Sequence, residues 1–362
     1  MNDTSIPLLD TSGTPSAMGE AHGETFRDLI HEHIACHRDW IFEHSAVPMD
    51  EGRLDEMWQP WIEANQQAAP DLVEEMRGIA RGADVSFDHL FQVNSLLDLG
   101  NFRWMDCVGG TVGCTCFVVP HEAETGQTLL GQTYDLSAFR QRFNIVLRIQ
   151  PDDGPAQLVY SLAGMVGLAG LNEHGLGINI NYLSSNDCQP GTLHAVIVRQ
   201  VLGAANLADA VAAPTGGTRA GGSHYLVADD AGHVVSVETT AEQFALLYPD
   251  GEPYGHTNHY LSDWLQPRQV VRSSSIGSSI ARYTALRKFL QRDDLDRETL
   301  KSMTADHSSY PRSICAHGGP DDPELYRGRT IAAMIQVLGE RTMHICGGCA
   351  CESPYQAISL EA

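Results

Sequence analysis

An α+β fold is what the sequence predicts. Helical patterning fills about the first hundred residues, short β-rich runs begin near Cys107, and helices with one last strand-like run return toward the C-terminus. Residues 1–16 are polar and rich in Ser, Thr and Pro, so they read as a loose lead-in. From Ala17 to His44, the apolar residues Phe26, Leu29, Ile30, Ile34 and Ile41 fall on one face of an amphipathic helix. A second helical stretch covers about 55–67. Pro70 and Asp71 open a third through Leu72, Val73, Met76 and Ile79, which Gly82 closes. Ser86 or Asp88 suits the N-cap of a fourth through Leu90, Phe91, Val93, Leu96 and Leu97.

Beyond Cys107 the runs GGTVGCTCFVVP, QTLLGQTYDL, FNIVLRIQP, LVYSLAG, VGLAGLNEHGLGININ and HYLVADDAGHVVSVETT are separated by Gly, Asn and Asp turns, which makes them hairpins of antiparallel sheet. Helical patterns return at about 193–212, in SSIARYTALRKFL and in DRETLKSMTADH, before the final strand-like run TIAAMIQVLGERTMHIC. No repeat or low-complexity linker divides the chain.

Composition narrows the function classes. The 362 residues allow two ordinary domains or one large one, and 43% hydrophobic content is ample for a core. Acidic side chains outnumber basic ones 46 to 23, and a net charge of −23 repels phosphate backbones and anionic lipid. Neither nucleic acid nor a membrane is an expected partner. The opening MNDTSIPLLDTSGTPS has no basic head and no apolar signal core, so the expected location is cytoplasmic. Nine cysteines, an odd count without a secretion signal, argue for reduced thiols, some of them reactive.

The sharpest local feature is Gly113-Cys114-Thr115. A glycine before a thiol allows backbone geometry that brings the sulfur near its own preceding carbonyl. Attack there converts the amide to a thioester, and water then releases a new N-terminal cysteine. Its α-amine has an ordinary pKa of about 8, so one residue supplies both nucleophile and base.

Six segments in order, EEMRGIARGADVSFDHLFQVNSLLDL, GCT, GQTYDL, HTNHY, SSIAR and DHSSYPRSICAH, resemble the self-processing N-terminal-nucleophile family of the penicillin acyl-CoA acyltransferase, peptidase family C45. That group includes the insect β-alanyl amine hydrolases and is more distantly similar to acid ceramidase and bile salt hydrolase. The resemblance runs from about residue 17 to 350. It implies a four-layer αββα sandwich with two antiparallel sheets and a helical N-terminal segment. It also implies autocleavage between Gly113 and Cys114, giving a helical α-subunit of residues 1–113 and a β-subunit of residues 114–362. The two fragments are expected to stay together as one globular αβ heterodimer.

Carried over residue by residue, the resemblance makes Cys114 the nucleophile, Asp135 the carboxylate that holds the free amine, and Asn258 the oxyanion-hole amide. Thr115, Tyr134 and Arg282 are expected on the substrate side, with Arg282 clamping a substrate carboxylate or a neighbouring loop. Thr133 and Tyr134 depart from the family's Gln-Asn-Trp-Asp pattern, and Gln132 stands where distant relatives place an arginine. The implied activity is hydrolysis of a small N-acyl amide through a thioester, without a cofactor. The alternative is acyl transfer to an amine from an amide or from acyl-CoA, although no stretch looks like a CoA phosphate site.

Other clusters compete. His256 and His259 flank Asn258 without carboxylates at ligand spacing, which favours packing over metal. Asp306, His307, Cys315 and His317 invite a papain-like reading with Cys315 as nucleophile, against a structural segment near the pocket. Glu238 reads equally as a strand-end site acid or an exposed carboxylate. His33, His37 and His44 share one helix face and are expected to be polar surface. In HICGGCAC, Cys346, Cys349 and Cys351 follow His344 in a spacing that suits zinc, but no second thiolate pair follows, so a turn with free thiols and no metal is expected. A different class of function, a metal-stabilised binding protein without catalysis, would use that segment and the histidine-rich helix. Gly216, Gly217, Gly221 and Gly222 lack the partners of a phosphate loop and read as a turn.

Overall fold

The computed structural model describes residues 5–101, 113–271, 273–319 and 327–361, so Cys107 and the first four residues of the GGTVGCTCFVVP run lie outside the described part. In chain order the strands are β1 (Leu8–Gly13), β2 (Gly113–Val119), β3 (Leu129–Ser137), β4 (Asn144–Pro151), β5 (Gln157–Leu162), β6 (Ala169–Asn172) and β7 (Gly177–Tyr182). They continue with β8 (Ser223–Ala228), β9 (Val234–Thr239), β10 (Phe244–Leu247), β11 (Tyr254–His256), β12 (Gly328–Val337), β13 (Thr342–Cys346) and β14 (Gln356–Ser359). The helices are α1 (Pro15–Thr25), α2 (Arg27–His44), α3 (Glu51–Ala68), α4 (Pro70–Ala83), α5 (Phe87–Asn94), α6 (His194–Leu202), α7 (Leu207–Thr215), α8 (Ser273–Phe289) and α9 (Arg297–Thr304).

The strands form an eight-stranded sheet, β1-β4-β5-β6-β7-β8-β9-β10, and a six-stranded sheet, β11-β2-β3-β12-β13-β14. Strand alternation decides what lies between them. On β2, Cys114, Cys116 and Val118 enter the core shared by the two sheets, while Phe117 and Val119 join the cluster under α8 and α9. Helices α6 and α7 cover the larger sheet, and α8 and α9 cover the smaller one. The order helices, sheet, sheet, helices is the expected four-layer α+β sandwich. Polar side chains stitch the sheets: the Gln132 amide donates to Ile180 O at 2.7 Å and accepts from Ile180 N at 2.9 Å.

Several expectations are corrected. The lead-in contributes an edge strand, β1, paired parallel to β4 from Leu8 opposite Val146 to Gly13 opposite Pro151. The expected first helix is two helices, broken at Phe26. Gly82 does not close α4, which runs on to Ala83. Its role is close packing: a Cβ on Gly82 would lie 2.2 Å from Glu20 O, and one on Gly19 would lie 2.1 Å from Glu75 O. Glycines on both α1 and α4 thus let the two backbones touch. The last strand-like run is a hairpin, β12 and β13, turned at Arg341 with φ of 51°.

The histidine face of α2 is not surface. His33 and His37 are fully buried, and their ring nitrogens accept from the buried Arg140 guanidinium at 3.1 and 2.9 Å. His44 is the half-buried one of the three. Among the described residues, no helix is long and apolar enough to cross a membrane.

Candidate active site

Strands β2 and β3 pair antiparallel with Gly113 opposite Asp135 and Cys114 opposite Tyr134. Cys114 is fully buried, and its backbone nitrogen donates to Asn258 Oδ1 at 2.9 Å. Its carbonyl accepts from Arg282 Nη1 at 2.6 Å. The same Nη1 reaches Thr115 Oγ1 at 2.9 Å, and Nη2 donates to Asn258 Oδ1 at 2.8 Å. Burial, followed by the Asp135 charge, pushes the Cys114 thiol up to about 12, while Arg282 and the backbone N–H groups of Tyr182 and Asp135 pull against that rise.

Asn258 sits on a loop that buried polar groups hold in place. Glu238 is fully buried, which removes the exposed-carboxylate reading. Its Oε1 accepts from Leu261 N at 2.6 Å and lies 2.8 Å from His256 Nε2, and its Oε2 accepts from Ser262 N at 3.0 Å. His256 stacks on His224 with ring centroids 3.7 Å apart. On the other side Asn258 N donates to Ser279 Oγ at 2.8 Å, and the amide Nδ2 donates to Tyr182 O at 3.0 Å. Ser279 Oγ also lies 2.8 Å from His259 Nδ1. Burial, then His256 and Arg282, lowers His259 to about 4, so this imidazole is neutral at pH 7. The two histidines therefore frame Asn258 by packing and hydrogen bonding.

Asp135 lies on the α8 face of β3 together with Thr115 and Arg282, as its position one residue after the inward Tyr134 requires. Thr330, directly opposite it on β12, donates from Oγ1 to Asp135 Oδ1 at 2.7 Å. Burial raises the Asp135 carboxyl above the ordinary range, against the pull of Arg282 and Thr330. Burial likewise lowers the pKa of Arg282, which Asp135 and the two thiols of β2 offset in part.

The sequence therefore brings Gly113, Cys114, Thr115, Asp135, Asn258 and Arg282 into one cluster. Arg282 is 3% exposed, not a solvated helix residue, and its guanidinium lies beside the Cys114 carbonyl. Tyr134 is buried next to the cluster, where its hydroxyl donates to Leu168 O at 2.6 Å and its ring packs on Tyr160. Sequence reasoning missed Tyr182, Ser279 and Thr330. Ser279 was within reach, inside SSIAR three residues before Arg282, whereas Thr330 becomes visible only through its register with Asp135.

The other candidates separate. The Asp306 carboxylate binds Ser308 N at 3.1 Å and Ser308 Oγ at 2.9 Å, so it orients neither histidine of its segment, and the Cys-His-Asp arrangement is not formed. His33 and His37 face a guanidinium, which excludes them from holding a metal as well. The glycine-rich turn is pinned by Arg219, which donates to the carbonyls of Pro214, Gly217, Thr240 and Gln243.

Residues 122–349 match the family model described as acyl-coenzyme A:6-aminopenicillanic acid acyl-transferase, a span that holds Asp135, Asn258 and Arg282 and begins downstream of Cys114. The 40 kDa form of the acyl-coenzyme A:6-aminopenicillanic-acid-acyltransferase of Emericella nidulans is 23% identical over 305 residues, covering 84% of this chain and 82% of the relative. Among solved structures, the N-acylethanolamine-hydrolyzing acid amidase ortholog of Caenorhabditis elegans is 16% identical with a TM-score of 0.43, covering 62% of this chain and 93% of that one. A conjugated bile acid hydrolase variant from Clostridium perfringens is 14% identical with a TM-score of 0.43, covering 68% and 92%.

Proposed function

The chain belongs to the acyl-coenzyme A:6-aminopenicillanic acid acyl-transferase family, enzymes that act on amide bonds, and on that premise we propose that it is a cysteine N-terminal-nucleophile amidohydrolase activated by its own cleavage before Cys114. The observation that carries the reading is the bond from Cys114 N to Asn258 Oδ1 at 2.9 Å. The nitrogen that becomes the α-amine is thus held by the amide that serves the reaction, with Asp135 and Arg282 at its back.

In self-cleavage the Cys114 sulfur attacks the Gly113 carbonyl carbon. The thiol proton passes to the departing Cys114 nitrogen, the C–N bond breaks, and a thioester forms. Water hydrolyses it, leaving a carboxylate on Gly113 and a free α-amine on Cys114. The substrate cycle repeats this chemistry. The amine takes the thiol proton, the thiolate attacks the acyl carbonyl, and Asn258 Nδ2 and the Tyr182 N–H receive the oxyanion. The protonated amine then returns its proton to the leaving nitrogen, and water resolves the thioester. Tyr134 borders the acyl group from the face that Cys114 occupies, whereas Thr115 points to the α8 face with Arg282, which fixes Asn258 while its charge favours the ionised sulfur.

Fragments 1–113 and 114–362 are held together by contacts across the cut. Strand β1 pairs with β4, and Glu75 of α4 makes a buried bidentate pair with Arg199 of α6 at 2.7 and 3.0 Å. The full burial of Cys114 in the continuous chain supports an inactive precursor.

The relative's acyltransferase name favours one rival, transfer of the thioester acyl group to an amine instead of water. Incubating processed enzyme with a panel of small N-acyl amides and acyl-CoA donors, with and without an acceptor amine, separates the two by product ratio. Free acid from amides, and an acyl adduct on the fragment that starts at Cys114, are expected. Turnover by Cys114→Ala without any adduct overturns the reading.

A further inference from the structure

The loop after α9 and the turn after β13 meet at four side chains that the amide chemistry does not use. One ligand atom each from His307, Cys315, His317 and Cys351 lies within 4.8 Å of all the others. Cys315 Sγ is 3.6 Å from Cys351 Sγ and 3.6 Å from His317 Nε2. Cys351 Sγ is 3.4 Å and His307 Nε2 is 3.0 Å from that same nitrogen.

Zinc binds thiolate at about 2.3 Å and imidazole at about 2.05 Å, so a tetrahedral ion needs edges of about 3.8 Å between sulfurs, 3.6 Å from sulfur to nitrogen and 3.3 Å between nitrogens. Four of the six edges match their requirements to within about 0.3 Å, and the two from His307 to the sulfurs stay within 4.8 Å. We propose that His307, Cys315, His317 and Cys351 form a structural zinc site. Two thiolates and two imidazoles are the donor set this ion takes, and four protein ligands leave no open position for catalysis.

The surroundings support a ligand role for His317 Nε2. Its other nitrogen, Nδ1, is turned away from the cluster toward Glu352, whose Oε1 lies 3.7 Å off and whose Oε2 Arg329 holds at 3.1 Å. Cys349 stands outside the set, because its Sγ accepts from Arg329 Nη2 at 3.1 Å. A nucleophile and base would need one thiol and one imidazole, and here two of each converge. His307 and Cys351 are exposed, which gives an ion access. Three ligands come from DHSSYPRSICAH and the fourth from HICGGCAC, so neither segment is a metal motif by itself.

The site would fasten the loop to the strand behind the catalytic carboxylate. Ala316, next to Cys315, donates its N–H to Thr330 Oγ1 at 2.9 Å, and Thr330 in turn donates to Asp135.

Full-length reduced protein, stripped with a chelator, is titrated with Zn(II) against a chromophoric competitor and with Co(II) followed optically. One equivalent of zinc and a tetrahedral, thiolate-ligated Co(II) spectrum are expected. Cys351→Ser and His307→Ala, both at exposed positions, weaken zinc by at least about tenfold, and Cys36→Ser leaves it unchanged. Failure of the folded wild type to take up zinc, wild-type zinc affinity in both ligand variants, or a Cys315–Cys351 disulfide in freshly isolated protein would overturn the proposal.

Discussion

The carboxylate of Asp135 occupies the space that a side chain at position 113 would need: a Cβ built on Gly113 falls 2.8 Å from Asp135 Oδ2. Glycine precedes Cys114 where the carboxylate approaches its backbone that closely. Gly113→Ala is expected to slow processing at least tenfold and to cost about 1–3 kcal/mol as β3 shifts to relieve the overlap. Denaturing gels over time and urea unfolding read the two effects, and a variant that processes at the wild-type rate removes the close approach from the account.

Asn258 holds the Cys114 nitrogen through Oδ1 and donates one Nδ2 hydrogen to Tyr182 O, leaving its other Nδ2 hydrogen for the oxyanion in the proposed mechanism. Replacing it with alanine should lower kcat by about 10²–10³ with a smaller change in KM, the signature of a contact made mainly in the transition state. Steady-state kinetics of processed enzyme decide this, and an effect confined to KM would assign Asn258 to ground-state binding instead.

Thr330 joins Asp135 to the Ala316 N–H. In Thr330→Val both buried partners lose their hydroxyl, at a cost of about 1–3 kcal/mol, and the pH profile of turnover shifts because Asp135 loses one of the contacts that lower its pKa. Thr330→Ser should restore both. A stability loss without a profile shift would leave Thr330 a purely structural role.

Acid should weaken the fold through its buried histidines. His22 and His33 are lowered to about 3, chiefly by burial and then by Arg199 and Arg140 respectively, and His37 is lowered well below the ordinary value. Each is neutral in the fold and protonates near 6.5 when unfolded, so its contribution is complete above 6.5 and is lost as pH falls toward 3. The loss amounts to as much as about 1.4 kcal/mol per pH unit for each group. Urea midpoints from pH 7 to 4.5 should fall, and the gap between wild type and a His33→Gln/His37→Gln variant should narrow. A constant gap would contradict the assignment of neutral, acceptor nitrogens facing Arg140.

What the sequence made legible was local. The Gly113-Cys114 pair, the strand carrying Asp135 and the loop carrying Asn258 each occupy a few consecutive residues, and strand alternation then places Asp135 on the face of Arg282. What it hid depended on distant partners. His33 and His37 read as polar surface because nothing near them in sequence announces Arg140, 107 and 103 residues away. Strand β1 hid among Ser, Thr and Pro because an edge strand whose residues alternate between exposed and half-buried needs few apolar ones. Gly82 looked like a helix stop because its true constraint, the backbone of α1, lies 62 residues earlier at Glu20. Thr330 and the fourth ligand of the cysteine–histidine cluster became visible only when the fold joined separate segments.

The most direct test is intact-mass analysis with N-terminal sequencing of active enzyme, beside Cys114→Ala. Two fragments are expected, of about one-third and two-thirds of the chain, the larger beginning Cys-Thr-Cys, and a variant that stays full length and inactive. Active wild-type protein that remains a single uncut chain would contradict activation by cleavage before Cys114.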